Sequence, residues 1–224
     1  MPPLSRSSRS ILFRGNAGHF PGDSLFDRIA RAVCEAECLP RKELYEAWET
    51  ALRIRRHLRG GPVVELAAGH GLLAMILLIL DDTTPSALCV DLHQPPRHRT
   101  LLAVMERHWP RLQGRIAYAQ DGLENAAIPP DALVASVHAC GALTDRVLDL
   151  AIAGGHRVAV LPCCHDLQTC DTGSLDGWMD GPLAVDATRA ARLRQAGYTV
   201  KTARIPADVT PKNRLLLGWP AESD

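Results

Sequence analysis

Lysine is scarce in this 224-residue chain, which has only Lys42, Lys201 and Lys212. Arginine supplies nearly all of the basic charge, and 25 basic residues face 25 acidic ones, for a formal net charge of zero. A general polyanion binder normally carries a basic excess, so this balance argues against one. A local basic face stays open, because Arg53, Arg55, Arg56 and Arg59 crowd the end of one expected helix, where the dipole favours cations in any case. Long hydrophobic runs are missing too. The most apolar stretch, Leu72 to Leu80, is about half of the ~20 residues that a membrane span requires, and it reads as a buried helix. No basic leader followed by an apolar segment opens the sequence, so a cytoplasmic location without membrane association is expected. Seven cysteines are an odd number in a chain long enough to bury a core without staples, and no disulfide framework is expected in a reducing compartment.

What is there has a clear order. Residues 1–22 are rich in Pro, Ser, Gly and Arg, lack periodicity, and are expected to form a mobile or loosely docked arm. Residues 23–60 read as a preface of two helices: Asp23-Ser24 can cap the first over Leu25 to Ala36, and Pro40 opens the second. From residue 61 to 224 short β-like runs alternate with helical patterns, the signature of a parallel α/β sheet. The runs cover 62–66, 87–92, 114–120, 132–138, 157–162, 198–205 and 214–219. No helix separates the last two, so they are expected to pair as an antiparallel hairpin at the sheet edge.

The first run ends in "VVELAAGHGLLA". Glu65 stands near the strand end, Gly69 and Gly71 make the turn, and a helix starts at once. Glycines allow a sharp turn and close approach of a ligand to backbone N–H groups of the new helix. Against the dinucleotide fingerprint, the third glycine position holds Ala74, which that pattern tolerates. Asp91 ends the second run about twenty residues beyond the turn, where a carboxylate can accept bonds from two ribose hydroxyls. Asp121 ends the third, where it can meet an adenine amino group. Each acid alone is equally a strand-end or capping residue. Three such features at three successive strand ends are harder to assign to chance.

This ordered set resembles the class I S-adenosylmethionine-dependent methyltransferases, whose pattern is acid-x-Gly-x-Gly-x-Gly at the first strand and an acid at each of the next two. Glu65, Gly69, Gly71, Asp91 and Asp121 fall on that pattern, and Ala67 stands in place of its first glycine. The resemblance covers about residues 60 to 220. It implies an α/β fold: a Rossmann-like class I methyltransferase sheet with a C-terminal antiparallel hairpin and a helical N-terminal preface. It also implies S-adenosylmethionine as cofactor, bound by Glu65, Ala67, Gly69, Gly71, Asp91, Leu92, Asp121, Gly122 and His138.

Two later loops are rich in soft, reactive side chains. "HACGALTD" follows the fourth run and "PCCH" the fifth. Parallel neighbouring strands about 4.8 Å apart would deliver both loops to one cleft beside the cofactor. His138, Cys140, Gly141, Thr144, Asp145, Cys163, Cys164, His165 and Cys170 are similar, position by position, to a methyltransferase group with His-x-Cys-Gly…Cys-Cys-His motifs. That group includes the tRNA acceptor-stem 2′-O-methyltransferase, so RNA is an expected acceptor class, with small molecules or proteins as alternatives.

The chemistry of these loops has several readings. His138, Cys140, Cys163, Cys164 and His165 are the catalytic candidates. Imidazole titrates near neutrality, which suits His138 as a base, and a loop-shaping hydrogen bond is an equal alternative. Cys163 or Cys164 could act as a nucleophile. Cys163, Cys164, His165 and Cys170, with Cys140 or His138, are also good metal-ligand types. Adjacent cysteines seldom share an ion and no C-x-x-C spacing occurs, so no metal is expected to be needed for folding. A further rival is a non-catalytic, cofactor-binding protein whose cysteines sense oxidants. Core burial is expected for Cys89, for one of Cys163 and Cys164, and for Cys34 and Cys38 on one helix face. An RNA enzyme would need Arg14, Arg41, Lys42, Arg189, Lys212 and Arg214 to converge on the cleft.

Overall fold

Residues Val63–Leu66 form a strand, β1, in which every side chain is buried. Val63 joins one apolar core while Val64 and Leu66 join another, the period-two burial of a strand covered on both faces. A computed structural model, describing residues 5–221, extends this strand into a seven-stranded sheet. β2 (Ala87–Asp91), β3 (Ile116–Gln120), β4 (Leu133–Ser136) and β5 (Arg157–Val160) belong to its parallel part. β6 (Tyr198–Arg204) and β7 (Arg214–Pro220) pair antiparallel, and β7 lies antiparallel to β5. The order is β3-β2-β1-β4-β5-β7-β6, so it reverses direction between β1 and β4. Such a switch point opens a crevice outside the strand ends, where ligands of open α/β sheets bind. This is the Rossmann-like sheet with a C-terminal antiparallel hairpin and a helical N-terminal preface that the sequence leads one to expect.

Among the described residues there are six α-helices: α1 (Leu25–Ala36), α2 (Arg41–His57), α3 (Leu72–Leu80), α4 (His98–His108), α5 (Ala142–Gly154) and α6 (Gly181–Gln195). The Ser24 hydroxyl accepts from the Asp27 N–H at 3.1 Å and caps α1. α3 is apolar all round and buries every residue except Leu80, since α2 covers it on one side and β1 and β2 on the other. α6 starts at Gly181. Its first turn holds Pro182, and the Asp180 carboxylate accepts from the Leu183 N–H at 3.1 Å. No helix among the described residues is long and apolar enough to cross a membrane.

The preface shares its core with the sheet: Leu44, Ala51 and Ile54 of α2 pack in one cluster with Leu73 and Ile76 of α3. The N-terminal segment differs from expectation. Its residues 1–4 lie outside the described residues, but the remainder is docked rather than loose. Leu12 is fully buried, and its N–H donates to the Leu39 carbonyl at 2.9 Å. Phe20 is buried beside a short 3₁₀ helix, Arg14–His19. Arg6 pairs with Glu49 at 2.9 Å and with Asp208 at 3.0 Å. Single anchors of this kind have no period, so a pattern search passes over them.

If Leu12 anchors the segment, Leu12→Ala should remove about 2–5 kcal/mol of stability, the range for buried leucine truncations. Urea unfolding followed by circular dichroism measures this; an unchanged midpoint would mean that the segment docks without contributing to the cooperative fold.

Candidate functional site

The chain leaves β1 with Ala67 at φ +52°, Gly69 at φ +51° and Gly71 at φ +73°. The left-handed region costs an L-residue roughly 1–2 kcal/mol, so Ala67 is strained where the methyltransferase pattern places glycine. A side chain at Gly71 would stand 2.7 Å from the Cys89 sulfur, which leaves room only for glycine. Nothing lies within 4 Å of where a Gly69 side chain would begin, so this backbone is open to a ligand.

Neighbouring strands hold the turn in place. The Asp91 carboxylate, at the end of β2, accepts from the Gly69 N–H at 2.9 Å and the His93 N–H at 3.3 Å. The Tyr118 hydroxyl from β3 donates to the Gly69 carbonyl at 2.8 Å, and His98 Nδ1 lies 3.0 Å from the His70 carbonyl. Tyr118 and His98 went unnoticed in the sequence, since their role depends on strand register and helix position. Glu65 is buried and accepts from the Ala74 N–H at 2.8 Å, tying β1 to the first turn of α3. Burial pushes its carboxyl up to about 8 despite that hydrogen bond.

Asp121 is exposed, and its N–H donates to the Asp91 carbonyl at 3.0 Å, which links the two acids. Its carboxylate accepts from Asn125 Nδ2 at 2.8 Å and the Gly122 N–H at 2.7 Å. These bonds hold its carboxyl below the usual range, the side chain of Asn125 contributing most. Leu92 is 65% exposed beside Asp91, and Gly122 is buried. The structure therefore gathers Glu65, Gly69 and Gly71 with Asp91, and sets Asp121 beside them through the backbone.

The loops after β4 and β5 meet as expected. The Leu161 N–H donates to the Ser136 carbonyl at 2.9 Å, and the Gly141 N–H to the Cys164 carbonyl at 3.1 Å. Gly141 has φ +57°, a conformation that side-chain-bearing residues rarely adopt. The sulfurs of Cys140 and Cys163 stand 2.7 Å apart, and those of Cys140, Cys163 and Cys164 all lie within 4.8 Å of one another. These three thiols are at least partly exposed, so neither Cys163 nor Cys164 is buried as expected, since both lie in the loop beyond β5; Cys34, Cys38, Cys89 and Cys170 are buried. Burial pushes Cys34 and Cys38 up to about 11. Burial also opposes ionisation of Cys164, but bonds from Cys140 and Cys163 together with Lys212 outweigh it and lower that thiol.

The structure places His165 against α6. Its side chain is only 3% exposed, and Nε2 lies 2.7 Å from Asp186 Oδ1 on α6. It faces the helix and lines neither of the two cavities described below. The same Asp186 accepts from Arg214 Nε of β7 at 2.6 Å. Beside it Arg189, 1% exposed, donates to both Asp145 oxygens at 2.9 and 2.7 Å and to the Gly141 carbonyl at 2.9 Å. A contact of 3.6 Å reaches the Cys170 sulfur. One buried network thus fixes both cysteine loops onto α5, α6 and β7.

Two cavities border the strand ends. A small one of about 30 Å³ is lined by Glu65, Gly69 and His138 together with Glu43 of α2. A larger one of about 340 Å³ is lined by His138 and Glu43 again, with Glu46, Cys163, Cys164 and Lys212. Glu43 is a further residue that the sequence did not single out; burial raises its carboxyl above the ordinary value, against the influence of His138. A third cavity, about 380 Å³ between α6 and the hairpin, holds none of the glycine-turn or thiol residues. Of the basic residues considered for a rim, Arg41 and Arg189 are buried, Arg214 pairs with Asp186, and Lys42 pairs with Glu46 at 2.8 Å.

A family model described as a methyltransferase domain matches residues 42–170, more than half of the chain. Among solved structures, an O-methyltransferase family protein from Burkholderia thailandensis aligns with a TM-score of 0.54 at 17% identity, covering 97% of this chain and 66% of that one. The chain thus spans slightly less than two thirds of that protein's length. Ribosomal protein L11 methylase from Lactobacillus delbrueckii subsp. bulgaricus aligns at 0.50 with 13% identity, covering 78% of each chain. The B. subtilis m1A22 tRNA methyltransferase TrmK aligns at 0.50 with 14% identity, covering 77% of this chain and 65% of its own. Identities this low show a shared fold alone. No curated protein matches the sequence.

Breaking the network should be costly. Arg189→Met removes the cation from a buried pair and should lower stability by about 3–5 kcal/mol, read from chemical denaturation. A loss below 1 kcal/mol would mean that solvent replaces the guanidinium freely.

Proposed function

The chain belongs to the family of methyltransferase domains, and from that premise we propose that it transfers a methyl group from S-adenosylmethionine to a compact acceptor held beside His138. One observation carries this reading: His138 lines both the small cavity at the glycine turn and the larger cavity among the thiols. A side chain shared by the two spaces stands where a donor on the turn and an acceptor in the cavity would meet.

The residues at the turn suit such a cofactor. Gly69 leaves open space over its backbone, and Asp91 presents a carboxylate at the end of β2, the position from which ribose hydroxyls are bound in related sheets. When bound, S-adenosylmethionine supplies an electrophilic methyl on a sulfonium. The protein then has to align the acceptor in line with that methyl and take its proton where the acceptor must lose one. His138 is the base in this reading, and Glu43 lines both cavities beside it. Cys163, Cys164 and Lys212 form the opposite wall of the acceptor space.

A cavity of about 340 Å³ falls at the lower end of the usual small-molecule range. Among the described residues its basic members are Arg9, Lys42 and Lys212, set against Glu43 and Glu46. Phosphate backbones are held by clustered, uncompensated cations. The arrangement therefore favours a small molecule or a single protein side chain over RNA. Incubation with labelled S-adenosylmethionine and separate metabolite, protein and RNA fractions tests the choice; label confined to RNA would reverse it.

Two substitutions separate cofactor binding from transfer. Asp91→Ala removes bonds of about 1.5–3 kcal/mol each and should weaken S-adenosylmethionine binding at least about tenfold by calorimetry. Unchanged affinity in the folded variant would remove Asp91 from the cofactor site. His138→Ala should keep cofactor affinity and lower the transfer rate about 10²-fold or more. Normal turnover by that variant would leave His138 with a loop-shaping role only.

A further inference from the structure

We propose that Cys140, Cys163 and Cys164 form a binding site for one soft or borderline divalent cation, zinc by preference. Their sulfurs lie within 4.8 Å of one another. Four-coordinate zinc with Zn–S bonds of about 2.3 Å needs sulfurs roughly 3.8 Å apart. Cys140 and Cys163, now 2.7 Å apart, have to open by about an ångström to reach that spacing. Rotation of the two side chains about their Cα–Cβ bonds can supply that shift while the backbone of the loops stays in place. Thiolate ligands select zinc and copper(I) over the harder magnesium and calcium.

The surroundings favour these three thiols over the other four. Cys34, Cys38, Cys89 and Cys170 are buried, while the cluster is open to ions from solvent. The backbone bond from Gly141 to Cys164 and the Arg189 network bring the two loops together before any ion arrives. Adjacent cysteines such as Cys163 and Cys164 share an ion poorly on a regular strand, where successive side chains point to opposite faces. Here both lie beyond the end of β5 in irregular backbone, which lifts that restriction. Charge also balances, because two positive charges on the ion and one on the neighbouring Lys212 offset three thiolates.

The cluster sits outside both apolar cores, so the ion binds a chain already folded. Three protein ligands leave the fourth position of a tetrahedral ion for water or a bound molecule, the pattern of an open rather than a closed zinc site. Cys163 and Cys164 also line the cavity assigned to the acceptor, so an ion held there borders that space.

The test uses the full chain, reduced and stripped of metal, titrated first with Co²⁺ and then with Zn²⁺. Neither cofactor nor acceptor is needed, so the outcome is separate from that of the methyl-transfer reading. The expected result is one Co²⁺ per chain, with sulfur-to-cobalt charge-transfer absorption that one equivalent of Zn²⁺ abolishes. Cys140→Ser, Cys163→Ser and Cys164→Ser should each weaken binding by at least about a hundredfold, above the 10–100-fold typical for loss of outer-shell partners. Cys34→Ala should bind as the parent does. Because the three loop variants are independent, a misfolded one leaves the other two to decide. Absence of the absorption overturns the proposal, as does binding that survives Cys140→Ser. A reduced chain that takes no cobalt yet closes a Cys140–Cys163 disulfide under mild oxidant would make the cluster a redox pair instead.

Discussion

The buried guanidinium of Arg189 is the constraint on which the site depends. Parallel pairing of β4 with β5 brings two loops to the same side of the sheet, but it does not fix the path of either. Arg189 does that from α6, by bonding Asp145 at the start of α5 and the Gly141 carbonyl in the first loop. Asp186, one turn earlier on the same helix, holds His165 of the second loop and Arg214 of β7. A charge this deeply buried is stable only while its partners stay in place, so it makes the loop arrangement close to all-or-none. The reactive thiols are thereby presented on fixed backbone, not on a floppy surface segment.

The same logic explains how the turn after β1 is built. Positive φ angles at Ala67, Gly69 and Gly71 cost conformational energy or entropy, and that cost is offset by partners from two other strands. Asp91 and Tyr118 grip Gly69 from opposite sides of its peptide unit. Asp91 consequently shapes the chain with both carboxylate oxygens, one on the Gly69 N–H and the other on the His93 N–H. The competing explanation for strand-end acids, that they serve as local caps, is true in part for Asp121, which bonds Gly122 and Asn125. A capping role and a ligand role need not exclude each other where a carboxylate has two oxygens.

Much of this was legible in the sequence because it is local. Alternating runs and glycine turns located the strands, and strand order then placed Glu65, Asp91 and the two cysteine loops on one side. The His138–Gly141 and Pro162–His165 stretches converge for a reason visible in their spacing, namely that each follows a strand in a βαβ succession. What the sequence concealed is pairwise and long-range. Nothing local marks Glu43 as a wall of the cleft, Arg189 as a buried bridge, or His165 as packed against Asp186 of α6 and away from the cavities. The segment holding Leu12 and Phe20 reads as loose because two isolated anchors carry no period. The start of α6 did carry a signal, Asp180 ahead of Pro182, but the glycine-rich composition around it masked the cap.

Formal charge also misstates the cleft. The chain counts as neutral and the larger cavity at the strand ends as mixed, with Glu43 and Glu46 lining it together with Arg9, Lys42 and Lys212. Burial alters that tally by different amounts at different groups. Glu65 is pushed up to about 8, so near neutrality it is mainly protonated and acts as a polar tie to α3 more than as an anion. Glu43 is raised for the same reason, which weakens the negative side of the cleft. Lys42 is occupied by Glu46, leaving the exposed Lys212 to act on the thiols. The cleft therefore combines two acids whose charge burial opposes, Glu65 and Glu43, with a thiol side where Lys212 favours the Cys164 anion, and His138 lines both spaces. Glu43 lines both spaces as well, so what sets the two ends apart is the burial of Glu65 at the turn and the placement of Lys212 beside the thiols.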